Sequence, residues 1–429
     1  MAAELLEHLR EQFLRLEQTS SEPSELLQQR RRALEALLQR GFPTTRHEDW
    51  KYTSLAPVLR YRYEVGAPAS EELPSLSMVQ GLPQPQLWLL DGVPHVHELP
   101  AGVELRTAER FALNGARREP LPGQLVDVEG DAFVALNTAF APVPLTLTMR
   151  ESLPMPMHIG VVTQADAVPR LGQPRLLMSV ASGTSAALIF SFAHHGANPS
   201  LTNAVFELLL QPNAALDVLL WQDGLADAFA VTTLAARLES GARLRVWTLS
   251  FSGALVRNNV YIRLAGGAAD AQLYGVTMAT GQRLVDHHTR VEHEAEGCSS
   301  NQLYKSLAQE RATVNFTGRI YVHPGAQRTN AYQAHRALLL STQATVNARP
   351  QLEIYADDVR CTHGAAVGNL DEQALFYLRS RGIPEAQARK LLLYAFVREP
   401  LEALPSDALR ELAERSLAEH IQLPIEEFA

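Results

Sequence analysis

Pro212–Trp221 reads PNAALDVLLW, Ser240–Leu249 reads SGARLRVWTL and Gly266–Gly275 reads GGAADAQLYG. The segments begin at positions 212, 240 and 266, steps of 28 and 26 residues. Each opens on a small residue or turn and continues into an alternating strand. Alternation places Leu216, Val218 and Leu220 on one face, and Leu244, Val246 and Thr248 on the equivalent face of the next unit. A single strand pair cannot bury such a face, whereas stacked coils of similar perimeter make one continuous interior. Short strands at this spacing equally suit a β-sandwich, so the repeat by itself leaves both architectures open.

Around this region the texture changes. Residues 1–60 read as two helices and an aromatic linker, the second helix running from Ser24 to Arg40 with leucines at helical spacing and a stop at Gly41. In the linker GFPTTRHEDWKYTSL, the rings of Phe42, Trp50 and Tyr52 are expected to anchor against a neighbouring surface. Residues 61–130 are broken by prolines and glycines, although LWLLDG reads as a strand entering an Asp-Gly turn. The β-rich core is assigned to 131–358. Residues 359–429 read as a helical domain with helices over Asp371–Ser380, from Pro384 onward with Ala388, Leu391, Leu392, Ala395 and Phe396 as its apolar stripe, and over Ser406–His420.

Composition narrows the function. The chain has 429 residues, 46% of them hydrophobic, and a net charge of -9, so it folds around a sizeable core and has no basic surplus to neutralise phosphates. No nucleic-acid or membrane partner is expected. The opening MAAELLEHLREQFLRLEQ lacks the apolar run of a secretory signal, and no stretch of 18 apolar residues occurs, which leads to the expectation of a cytoplasmic protein. Its two cysteines, Cys298 and Cys361, suit a reducing compartment and cannot supply the four ligands of an ordinary Cys-ligated cluster.

Familiar catalytic motifs are missing: there is no G-x-x-x-x-G-K-[ST] loop for ATP, no G-x-G-x-x-G turn and no G-x-S-x-G elbow. A β-helical polysaccharide-active enzyme would need an acid/base pair along one face of the coils, and none is identifiable. The most suggestive constellation is YADDVRCTHG, with Asp357, Asp358, Cys361 and His363. In an extended segment Cys361 and His363 project to the same side, a soft thiolate beside an imidazole, which is half of a metal shell. A buried cysteine beside a structural histidine fits the spacing as well. The segment VDHHTRVEHEAEGCSS carries His287, His288, Glu292, His293, Glu294, Glu296 and Cys298 without any standard zinc spacing. His194-His195 is a weaker pair.

Over Pro350–Phe396 the sequence PQLEIYADDVRCTHGAAVGNLDEQALFYLRSRGIPEAQARKLLLYAF resembles the SufB/SufD family of iron-sulfur cluster assembly proteins, on its SufD side. Supporting stretches are FPTTRHEDWKYTSL, FVALN at Phe133–Asn137 and FTGRIYVHPGAQRTNAYQ at Phe316–Gln333; Thr362 stands where related motifs commonly carry serine. The resemblance implies a mainly β fold, a right-handed parallel β-helix core with N-terminal and C-terminal α-helical regions. It implies a non-catalytic scaffold subunit that pairs with SufB, engages the SufC ATPase and receives sulfur indirectly from a cysteine desulfurase system. The isolated chain would then be able to form a homodimer through the surface meant for SufB. His363 would be a transient metal ligand shared with SufB, Cys361 a secondary contributor, and no cofactor would be tightly bound by the chain alone; iron or a nascent cluster would be the cargo. Leu375, Phe376, Leu378, Arg379 and Arg381 would belong to the SufC-docking surface. A purely structural partner of SufB and SufC is the other reading of the same resemblance.

Overall fold

The computed structural model describes residues 2–20, 22–66, 82–107 and 122–423. Its centre is a right-handed β-solenoid made of two ten-stranded sheets wound around one interior. From Arg175 onward successive strands fall alternately on the two sheets, so each pairs in parallel with the strand one full coil away. Thus Ala215–Gly224, Arg243–Ser250, Asp270–Ala279, Ser299–Ala308, Thr329–Leu339 and Val359–Gly368 stack in order on one sheet. Phe229–Leu238, Leu255–Leu264, Leu284–His293, Thr313–Val322 and Thr345–Ile354 stack on the other.

The repeat read from sequence is this coil. Ala215 is paired with Arg243 and Arg243 with Asp270, steps of 28 and 27 residues. The third unit begins one residue later than its sequence suggests, because Gly266 is an extra residue in the turn. Its amide and that of Ala265 both donate to the Leu238 carbonyl, and a Cβ there would lie 2.0 Å from the Ser240 nitrogen. Leu216, Val218 and Leu220 lie inside with Leu244 and Val246, as alternation predicts, and Thr248 is buried in the same row.

The opposite faces of these strands are also apolar, for a separate reason. Leu219, Trp221, Trp247 and Leu249 lie under the C-terminal helices, so a strand such as LDVLLW is covered on both sides and reads as a continuous apolar run.

Helices close the sides. Helices α1 (Ala2–Thr19), α2 (Ser24–Arg40), α3 (Ala56–Leu59) and α4 (Ala132–Phe140) pack with Leu201, Phe229, Val231 and Leu255 on the outside of the second sheet. Trp50 stacks on Phe133 with ring centroids 5.3 Å apart, and Phe42 approaches the same ring. Asp131 caps α4 by accepting from the amides of Phe133 and Val134. At the other end, α5 (Glu372–Ser380), α6 (Glu385–Val397) and α7 (Asp407–Ile421) follow the last coil. They are fastened by Trp247 Nε1 to the Pro400 carbonyl (3.1 Å), Lys305 Nζ to the Phe396 carbonyl (2.7 Å) and His420 Nε2 to Asp223 (2.7 Å).

Several boundaries differ from the sequence reading. The solenoid runs on past Asp358, because Val359–Gly368 completes a further rung against Thr329–Leu339. It also begins before 131: LWLL is a strand, Leu87–Leu90, and Asp91-Gly92 turns it into an antiparallel hairpin with Val93–Val96. Residues 132–140, assigned to the β-rich core, form α4. In α6 Tyr394 and Val397 are buried and Ala395 is exposed, so the stripe is rotated from the one expected.

Candidate functional site

The two ends of the solenoid are finished differently. At the N-terminal end, antiparallel strands Val93–Val96 and Val103–Thr107 form the edges of the two sheets. At the C-terminal end, the edges are the ten-residue strands Thr345–Ile354 and Val359–Gly368, and both are parallel to their single neighbours. Nearly every residue of Val359–Gly368 is exposed, Val367 to 43%. Long, flat edges of this kind are templates for another strand unless something covers them.

Cys361 and His363 stand on this last rung. Register places Cys361 beside Ala331 and His363 beside Gln333, both of which point into the closed interior. The two side chains therefore share the inward row at the open mouth of the coil, as extended geometry requires. Cys361 is half-buried against Ala331, Ile320 and Val322, and this burial pushes its thiol above the ordinary value, so the resting group is a thiol. His363 is exposed. A thiol that must lose a proton and an imidazole with free coordination space form an incomplete shell, which a second surface would have to complete. Asp357 and Asp358 sit in the preceding turn, where the Asp358 carbonyl accepts from Arg328 N.

Behind the mouth the interior turns polar. The row Val218–Val246–Leu273–Gln302–Gln333–His363 changes from aliphatic to amide to imidazole along successive rungs. Beside it, His287 pairs with Thr277 Oγ1 at 2.7 Å, His293 with Ser300 Oγ at 2.9 Å and His335 with Ser306 Oγ at 3.1 Å. The rings of His287, Tyr304, Phe316 and His335 pack in series with centroid separations of 5.2, 4.8 and 4.9 Å, the first two pairs tilted and the last stacked. Tyr304 fits because Gly275 lacks a Cβ, which would lie 2.1 Å from the tyrosine ring. Burial holds these imidazoles neutral: His287 is pushed down to about 3, and His293 and His335 to about 4.

The second histidine-rich segment is thereby divided. His287, His293 and Cys298 face the interior, while His288 is buried on the outer face beneath the linker, near Asp49 at 3.9 Å. Glu292 and Glu294 also lie outside, where with His323 they bring three ligand atoms within 4.8 Å of one another. Their carboxylates are occupied by Arg290 (2.7 Å) and Arg263 (2.6 Å). Glu296 pairs with Arg328, and His194 is used locally, bonded to Ser200 and to the Gly196 carbonyl. His195 lies 3.7 Å from Asp166. Sequence reasoning missed Gln302 and Gln333, which share one interior row, and His335, which stands in the row beside it; these placements emerge only from register.

On α5, Asp371 caps the helix, Leu375 is buried and Leu378 is half-buried. Phe376 is 71% exposed and Tyr377 57%, with Arg381 over the Tyr377 ring and Arg379 3.4 Å from Glu385. The two adjacent aromatic rings together form an exposed apolar patch on α5. Among the described residues no helix is long and apolar enough to cross a membrane.

Comparison with known proteins agrees with this architecture. Residues 161–396 match the family model described as SUF system FeS cluster assembly, SufBD core domain, and residues 2–73 match the SufBD protein N-terminal region. The chain is 28% identical over 418 residues to an iron-sulfur cluster assembly SufBD family protein of Synechocystis, covering 91% of this chain and 90% of that one. It is 29% identical over 388 residues to the iron-sulfur cluster assembly protein SufD of Escherichia coli, covering 88% and 89%. It is 27% identical over 399 residues to the chloroplastic protein ABCI7 of Arabidopsis thaliana, covering 88% and 82%. A two-sheet solenoid between helical flanks, with a match to the core model over more than half its length, shows that the chain belongs to the SufB/SufD family of the SUF iron-sulfur cluster assembly system.

Proposed function

We propose that this chain is a SufD-like, non-catalytic scaffold that pairs its open coil end with a SufB subunit and supports cluster assembly at the joint. The observation that carries this reading is the uncovered last rung, where backbone pairing groups and the Cys361/His363 row are presented together. A partner solenoid placed there extends both sheets and brings its own ligands to the half-shell. Iron is cargo in this scheme: His363 binds it as a neutral imidazole, and Cys361 contributes only after losing its proton. Similarity to a protein named SufD along most of both chains supports the choice within the family.

Co-expression with SufB and the SufC ATPase tests this reading. The His363→Ala complex is expected to assemble with normal stoichiometry and to carry several-fold less iron and acid-labile sulfide than wild type. Wild-type metal content in that complex would remove His363 from the site.

The SufC ATPase would dock on α5, where Phe376 and Tyr377 are anchors and Arg379 and Arg381 give direction. Phe376→Ser removes a ring that is not part of this chain's core. It should leave the circular dichroism and melting temperature unchanged while weakening SufC binding at least tenfold in a pull-down titration. Unaltered affinity would place the docking face elsewhere.

A further inference from the structure

Gln333 is fully buried, and neither its amide oxygen nor its amide nitrogen has a hydrogen-bond partner among the described residues. An amide stranded in this way costs about 1–3 kcal/mol relative to a bonded one, so its place in the interior calls for a physical reason. Packing does not supply one, since methionine has nearly the same shape without the polar atoms. The local structure instead makes room for the amide: a Cβ on Gly318, across the coil, would lie 1.5 Å from Gln333 Nε2.

One rung above, on the same inward row, is His363. Neighbouring strands are spaced about 4.8 Å apart, so a Gln333 amide that rotates along the row comes within reach of the imidazole. A histidine that binds metal through one nitrogen nearly always donates its other N–H to an acceptor, which fixes tautomer and ring orientation. On the surrounding inward positions Ala331 and Ala337 offer no side-chain acceptor, and His335, whose Nε2 is engaged with Ser306, is in register with Ala365 whereas Gln333 is in register with His363.

We infer that Gln333 is a positioning residue for His363, its amide oxygen accepting the proton on the ring nitrogen that does not bind metal. The inference rests on the metal-handling reading of His363 given above. In the unloaded chain the amide is held in reserve, and on loading it gains the partner it lacks. Gln302, the next residue down the row, has its oxygen engaged by Thr289 Oγ1 at 2.7 Å and is not part of the device.

The test is anaerobic titration of ferrous iron into the complex assembled with SufB and SufC, carried out in parallel with thermal melting. Gln333→Met is expected to weaken iron binding about 10–100-fold, the loss typical of removing an outer partner of a ligating histidine. Its melting temperature should be unchanged or higher, an outcome a merely structural glutamine would not give. Gln333→Glu, which keeps an acceptor at the same reach, should bind iron within about threefold of wild type. If the methionine variant does not assemble, Gln333→Asn decides: it keeps an amide but withdraws it by one methylene, and the same weakening is expected. Wild-type affinity in Gln333→Met, or in Gln333→Asn where that variant decides, overturns the inference; if His363→Ala still loses iron, the metal role of His363 survives. Wild-type affinity in His363→Ala overturns both.

Discussion

Lowering the pH from 7 to 5 is expected to destabilise the folded chain by several kcal/mol. His287 titrates near 3 in the native state and His293 and His335 near 4, against an ordinary value of 6.5. All three are displaced by burial, and His288 is pushed down as well, by burial and by the guanidinium of Arg257. Unfolding releases these imidazoles into water, where they take up protons below about 6.5, so acid draws the equilibrium toward the unfolded chain. Their contribution is complete above pH 6.5 and is lost as the pH falls toward 4 for His293 and His335 and toward 3 for His287, each displacement being worth roughly 3–5 kcal/mol. Asp91 and Asp131 act in the opposite direction, since burial raises both, Asp91 to about 6, and they hold a proton more tightly when folded, but they are two groups against a larger set of depressed imidazoles. Denaturant unfolding at a series of pH values measures the slope directly. His335→Gln should reduce proton uptake by close to one, and a stability independent of pH between 7 and 5 would show that these histidines are not buried neutral.

Replacing Arg257 with methionine is expected to cost about 3–5 kcal/mol, the usual penalty for leaving a buried charge without its counter-ion. Arg257 and Asp286 have side chains 1% and 5% exposed and are joined at 2.5 Å. The same guanidinium donates to the Asp49 carbonyl (2.9 Å) and to Asn259 Oδ1 (2.9 Å), and lies 3.9 Å from the centre of the Trp50 ring. Thr53 Oγ1 donates to Asp286 Oδ2 at 2.6 Å. One pair thus binds the 42–55 linker to the outside of the solenoid. Adding Asp286→Leu to Arg257→Met should recover part of the loss, because the stranded carboxylate is then gone. Equilibrium urea unfolding of both variants gives the comparison. A single-mutant loss below about 1 kcal/mol would mean that the linker is not held by this pair.

Much of this architecture is legible in the chain because strand alternation and turn chemistry act locally. Ser24–Arg40 is bounded as its leucine spacing and Gly41 predict, and Asp91-Gly92 turns where the dipeptide requires. Helix α4 is not legible in the sequence because AFVALNTAF is buried on nearly all sides and so lacks the polar stripe that distinguishes a helix from a buried strand. The last rung is hard to tell from the helical domain that follows it because VRCTHGAAVG shows little alternation of polarity. Its residues are exposed on both faces in the single chain, and burial writes no pattern there. Cys361 and His363 could be paired from their spacing alone. The polar row behind them could not, since Gln302, Gln333 and His363 are brought together by coil register across steps of 31 and 30 residues.

The central claim is that the Val359–Gly368 edge is a pairing surface for a partner solenoid. Amide hydrogen exchange across Thr345–Gly368, with the chain alone and then saturated with SufB, measures it most directly. The account predicts that the outward amides of both edge strands exchange rapidly in the free chain and become strongly protected in the complex. A tight complex in which these amides exchange as fast as before would contradict it.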